Sequence, residues 1–172
     1  MTARVPNRRM VILGAGALGS LVAARLTEAG HDPLVLTRPS AHEAAVRRAG
    51  LVVAERDGTQ RTVPLRITTT AGGAAKADAV IVLVKAWATA DALRPLWPVL
   101  RPGTLLLSLQ NGLGTAERMR DGIGADASAR IALGVTELAA TRRDPGVVRV
   151  AGSGPTTIGF PDRSTDSNLA EI

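Results

Sequence analysis

The chain has 172 residues, 45% of them hydrophobic, and carries a formal charge of +6 from nineteen arginines and two lysines set against fifteen acids, a length that suits about one domain with a buried core. Cysteine is absent and His31 and His42 are the only imidazoles, which excludes a disulfide scaffold, a thiolate metal site and a zinc cluster. The basic residues are scattered and only three aromatics accompany them, so an anionic small molecule is expected as ligand in preference to nucleic acid, and no apolar run approaches the roughly 20 residues of a membrane span.

From Arg8 to Gly30 the chain reads RRMVILGAGALGSLVAARLTEAG, and two opposite readings compete. Two arginines precede fifteen uncharged residues, Met10 to Ala24, that end on Val22-Ala23-Ala24, as in a secretory signal. The same residues also form a strand at Arg9 to Leu13, a glycine turn, and a helix at Ala17 to Ala29 stopped by Gly30. Three glycines interrupt the apolar segment, and removing it would take the first strand and helix from an otherwise complete βαβ series, which favours the second reading.

Pro33 to Thr37 reads as a second strand, and Ser40 with Glu43 has the spacing of a capping box that starts a helix ended by Gly50. Leu51 to Ala54 and Thr62 to Ile67 flank an Asp57-Gly58 turn as a hairpin. Ala79 to Val84 has the composition of a parallel strand buried on both faces. A helix is expected from Ala88 to Leu100, disturbed by Pro95 and Pro98, then a strand at Thr104 to Leu109 and a short helix at Thr115 to Arg120. Short strands at Ile131 to Ala140, Val147 to Ala151 and Thr156 to Phe160, with a turn at Asp144-Pro145-Gly146, are expected to extend the sheet in antiparallel fashion. The order predicts an α/β, Rossmann-type doubly wound fold, its sheet mainly parallel, with helices on both faces and a C-terminal antiparallel extension. One nucleotide-binding domain is expected over 1–160, with 161–172 a linker or the start of a further helical domain.

The residues that carry chemistry gather at predicted strand ends, where open α/β sheets bind ligands. Gly14, Ala15, Gly16, Ala17, Leu18 and Gly19 form G-x-G-x-x-G between a strand and a helix. The first glycine permits the tight turn, the second lets backbone approach a pyrophosphate, and the third lets helix pack on strand. After the second strand, where NAD-binding folds usually carry an acid for the ribose, stands Thr37-Arg38; a guanidinium grips a 2′-phosphate, so NADP is expected over NAD. Lys85 closes one buried strand and Asn111 the next. For Lys85 the alternative is a snorkelling strand-end lysine, and for Asn111 a left-handed turn residue before Gly112. No Ser/His/acid triad or carboxylate pair suggests hydrolysis, Glu137 is a lone acid, and no metal site is expected.

GAGALGS, LTR, VKAW, QNGLGT and the closing GVTELAATRRDPGVVRVAGSGPTTIG together resemble, in order, the NADP-binding N-terminal half of the ketopantoate reductase (2-dehydropantoate 2-reductase) family. The glycine loop is common to many dehydrogenases, whereas the ordered combination of the later motifs is much more specific. The resemblance implies that the Gly14–Gly19 loop binds the pyrophosphate, Arg38 the 2′-phosphate, Lys85 the adenosine side and Asn111 the nicotinamide end near substrate, with Ala140 lining the cofactor. It also implies a cytoplasmic oxidoreductase of pantothenate biosynthesis that uses NADPH to reduce a 2-oxo acid. Two departures stand out: Ala88 replaces the glutamine often found after KAW, and the helical half that carries the family's general-acid lysine and substrate-holding glutamate is absent. No catalytic residue is therefore expected in this chain beyond a substrate-side contact from Asn111, and a homo-oligomer or a separate helical partner chain is expected to cover the exposed side. The competing reading is a non-catalytic NADP-binding sensor or interaction module.

Overall fold

The computed structural model describes residues 8–124 and 130–161. β1 (Met10–Leu13) runs through the glycine turn into α1 (Ala17–Glu28), followed by β2 (Leu34–Leu36), α2 (Ala41–Ala49), β3 (Leu51–Ala54), β4 (Gln60–Val63) and β5 (Arg66–Thr68). β6 (Ala79–Val82), α3 (Thr89–Leu93), β7 (Leu105–Ser108), α4 (Thr115–Ile123) and β8 (Arg130–Thr136) continue the alternation, and β9 (Ala139–Asp144), β10 (Val147–Gly152) and β11 (Thr156–Gly159) close it.

Seven strands form the main sheet in the order β11-β8-β7-β6-β1-β2-β5, parallel throughout except for β11, which runs antiparallel to β8. Its central strands are continuous apolar runs because both faces are covered. On one face Val80, Val82 and Leu106 pack with Leu93 of α3 and with Met119 and Ile123 of α4. On the other, Ile12, Ile81 and Leu107 pack with Val22 and Ala23 of α1.

A second sheet, β4-β3-β10-β9, covers the far side of α1. Its inward residues Leu51, Val53, Val63, Val148 and Val150 pack against Leu21 and Ala24. The helix therefore lies between two sheets, and its residues Gly19 to Ala24 are buried without a break. A helix enclosed in this way needs no polar stripe. That is the physical reason the segment imitates a signal sequence. At the solvent rim, Arg25 and Glu28 of α1 join Glu55 and Arg61 of the β3–β4 hairpin in an ion cluster, with Arg25 2.7 Å and Arg61 2.6 Å from Glu55. The hydrogen bond from Arg61, more than any other influence, holds the Glu28 carboxyl below its usual range.

Three expectations are corrected. Thr62 to Ile67 is not one strand: it divides at Pro64, where β4 leaves β3 and β5 joins β2 in the other sheet. Proline has no N–H to continue a ladder and restricts the residue before it, so the chain changes sheets there. The helix expected at Ala88 to Leu100 is a 3-10 turn at Ala86–Ala88, α3, and a second 3-10 turn at Trp97–Val99. Pro95 and Pro98 each remove a donor that a continuous helix requires. Ile131 to Ala140 splits into β8, which joins the main sheet parallel to β7, and the start of β9; β11 alone extends that sheet in antiparallel fashion, while β9 and β10 belong to the second. The tail expected at 161–172 lies, beyond Pro161, outside the described residues. No helix of the described residues is long and apolar enough to cross a membrane.

Candidate functional site

The strand order reverses around β1, with β2 on one side and β6 on the other, so a crevice opens at the carboxyl ends of these strands. Each glycine of the loop there has its own physical reason. Gly14 adopts φ +112, donates its N–H to the Leu36 carbonyl at 2.8 Å, and leaves no room for a Cβ, which would fall 2.9 Å from Val84 N and Cγ1. A Cβ on Gly19 would collide with the Gly14 carbonyl oxygen, so this glycine lets α1 press against the turn.

Gly16 differs from both. Its backbone, at φ −70 and ψ −177, suits any residue, and a Cβ built on it would meet nothing nearer than the Leu83 carbonyl at 4.0 Å. The space is open, and the N–H groups of Ala17, Leu18 and Gly19 begin the helix beside it. No side chain caps α1 and no acid stands in its first turn. The positive end of the helix thus faces open space, with no side-chain cap among the described residues. Such a cradle fits an anion, and Ala15 and Leu18 anchor it by packing into the cluster below.

Arg38 follows β2 at the same edge, exposed, with no hydrogen bond or ion pair among the described residues, while Thr37 is fixed by its N–H to the Thr68 carbonyl at 3.0 Å. Lys85 is exposed just beyond β6, where its carbonyl accepts from Ala88 N at 2.8 Å and starts the 3-10 turn. Asn111 is exposed beyond β7. The left-handed-turn explanation does not apply to it: Lys76, at φ 67, is the only non-glycine with positive φ among the described residues, and Gly112 takes the turn at φ 111. The glycine loop, Arg38, Lys85 and Asn111 are brought to one edge of one sheet. Ala140 is not among them. It pairs with Val150 in the second sheet and packs into the cluster containing Leu21 and Ala24, on the far side of α1.

Sequence reasoning missed Gln110. Its side-chain amide donates to the Val84 carbonyl at 2.5 Å and to Thr89 Oγ1 at 2.9 Å, and its Oε1 accepts from Ser108 Oγ at 3.1 Å. The signal was three polar residues, Ser108, Gln110 and Asn111, around Leu109 at the end of an otherwise apolar strand. Three large apolar side chains stand out beside the same strand ends, Trp87 at 77%, Leu113 at 94% and Val135 at 74% exposure. Glu137 lies on this side with its N–H bonded to the Pro155 carbonyl at 3.1 Å. A hollow of about 440 Å³ at the opposite edge, lined by Arg8, Arg9, Asp32 and Arg66, has none of these features, and its Arg66 is already paired to Asp32 at 2.6 Å.

A family model described as ketopantoate reductase PanE/ApbA matches residues 10–163. The 2-dehydropantoate 2-reductase of Halobacterium salinarum is 39% identical over 164 residues, covering 95% of this chain and 53% of that protein. The protein of the same name from Pyrococcus horikoshii is 34% identical over 165 residues, covering 95% of this chain and 51% of its own. Among solved structures, the PanE/ApbA family ketopantoate reductase of Ralstonia eutropha JMP134 aligns with a TM-score of 0.78 at 30% identity, over 87% of this chain and 48% of that one. The chain spans about half the length of these relatives.

Proposed function

The chain belongs to the ketopantoate reductase family, and from that premise we propose that it is the NADPH-binding half of a reductase acting on 2-dehydropantoate or a related 2-oxo acid. The observation that carries the proposal is the open, uncapped cradle at Gly16, where a Cβ would enter empty space beside the first amides of α1. In this reading the loop Gly14 to Gly19 holds the pyrophosphate on backbone N–H groups. Arg38, without a partner among the described residues at the end of β2, grips the 2′-phosphate that distinguishes NADP from NAD. Lys85 steadies the adenosine side and Asn111 reaches the nicotinamide end and the substrate. Ala140 contributes indirectly, by backing the helix whose amino end meets the pyrophosphate.

The reduced nicotinamide, when bound, supplies the hydride that the ketone carbon accepts. The resulting alkoxide needs a proton donor, typically worth 10²- to 10⁴-fold in rate. Among the described residues Lys85 is the only ammonium at this edge, and in this reading it serves the cofactor. The donor is therefore assigned to a helical partner, whether continuous in sequence or separate. Trp87, Leu113 and Val135 give such a partner an apolar landing beside the strand ends.

The test is a fluorescence titration of the 172-residue chain with NADPH and NADH, followed by an assay for ketopantoate reduction on the same sample. Tight NADPH binding, weak NADH binding and negligible turnover are expected. Robust NADPH oxidation on adding ketopantoate would refute the division of labour, and absence of NADPH binding would refute the cradle.

A further inference from the structure

We propose that Gln110 is a positioning residue that sets the separation between the adenosine-side and nicotinamide-side contacts, a proposal that rests on the NADPH reading above. The backbone ladder between β6 and β7 runs out before the residues that matter. Its last rung is the Leu109 N–H to the Val82 carbonyl, already long at 3.4 Å. Lys85 lies three residues beyond that rung on one strand and Asn111 two beyond it on the other. No backbone hydrogen bond among the described residues joins the two turns that carry them.

Gln110 continues the ladder with its side chain. One amide hydrogen goes to the Val84 carbonyl, the residue just before Lys85, and the amide also meets Thr89, the first residue of α3. The turn from Lys85 to Ala88 is thereby clamped at both of its ends. On the other strand the amide oxygen accepts from Ser108 Oγ, and Ser108 Oγ in turn accepts the Gln110 N–H at 3.1 Å. Ser108 and Thr89 are 1% and 0% exposed and Gln110 and Val84 half-buried, so the hydroxyl ends of these bonds are shielded from water. The clamp makes no hydrogen bond to the glycine loop itself; Val84, whose N and Cγ1 stand against Gly14, is where the two adjoin, and the clamp's own bonds bear on the spacing between Lys85 and Asn111.

A ligand that spans both turns feels that spacing, whereas one that ends at the adenosine side does not. Gln110→Ala is expected to weaken NADPH about tenfold while leaving adenosine 2′,5′-bisphosphate, which has the 2′-phosphate and no nicotinamide, within about twofold. Gln110→Glu keeps the size and the acceptor but cannot donate to the Val84 carbonyl, and it is expected to show the same selective loss; it also serves if the alanine variant does not fold. Thermal melts of each variant accompany the titrations. Equal losses for the two ligands, or wild-type NADPH affinity in Gln110→Glu, would overturn the positioning role while leaving the cofactor reading intact. Failure of the wild-type chain to bind either ligand would overturn both.

Discussion

α1 and α2 both begin where a parallel strand of the main sheet ends, and they treat their first-turn amides in opposite ways. At α2, Ser40 Oγ accepts from Glu43 N at 3.1 Å, Glu43 places an acid in the first turn, and Arg47 pairs with that acid in the next turn. Its amino end is satisfied by the protein's own side chains. At α1, Gly16 occupies the equivalent position with no side chain at all, no acid follows, and the space beyond is open. Glycine is an acceptable N-cap, but unlike Ser40 it brings no side-chain acceptor to the first amides. Among the α-helices of the described residues α2 alone has a side-chain cap, and α1 alone has neither a cap nor an acid in its first turn, since α3 has Asp91 and α4 has Glu117 there.

The strongest way to break the contrast is to fill the concavity. Gly16→Val keeps a backbone geometry that valine accepts, so the fold should survive while NADPH affinity falls by more than about 100-fold. A circular dichroism melt alongside the titration separates the two effects, and retained affinity would reduce the loop to a turn. Arg38→Ala leaves the cradle open and removes one charge-assisted contact, worth roughly 1.5 to 3 kcal/mol, so NADPH should weaken by about 10- to 100-fold and NADH hardly at all. Equal losses for the two cofactors would remove Arg38 from the 2′-phosphate.

On the other helix the contrast is sharpened. Ser40→Ala should cost about 1 kcal/mol of stability in urea denaturation and leave NADPH affinity unchanged, because that cap serves only the fold. A change in affinity without a change in stability would contradict this. The smallest effect is expected from acid. His42 is buried between the helices, its Nδ1 accepting from Gly146 N and its Nε2 beside Ser20 Oγ, both at 3.0 Å. Burial first, and then the Arg142 guanidinium, push the imidazole below its ordinary value, against a smaller upward pull from the Asp144 backbone. The unfolded chain then binds the proton more readily, so stability is full above about pH 6.5 and declines as pH falls below it. Urea midpoints at pH 7.5 and 5.5 should differ in the wild type and differ less in His42→Gln.

Local periodicity carried most of the main sheet. β1, α1, β2, α2, β6 and β7 announce themselves through apolar runs, a capping box and glycine stops, and the three loop glycines could be assigned separate roles from spacing alone. Partnership between distant strands could not be read in the same way. β3 and β10 lie about 95 residues apart and pair in parallel, and nothing in either segment says which sheet it will join. Pro64 was visible as a residue, but a proline inside a short apolar run reads equally as an edge irregularity and as a change of sheet. For the site, strand-end residues were legible because the fold class says where ligands go. Gln110 was not, because its partners are a carbonyl on one strand and hydroxyls on two elements, a relation no local pattern encodes.

The enclosure of α1 by two sheets also constrains the order in which the molecule can be completed. Residues 17–28 leave the ribosome early, whereas β9 and β10, which seal the outer face of the helix, are made only after Ala139. Some 110 residues separate the two, roughly 5 to 20 s of synthesis at ordinary rates. Through most of that interval Leu21 and Ala24 can meet only Leu51, Val53 and Val63 of the β3–β4 hairpin, and the segment that looks most like an export signal waits for Val148 and Val150 to complete its cover. The helix made first is closed in late, so a nascent chain held before β9 should display the part of this face that β9 and β10 cover to chaperones and proteases.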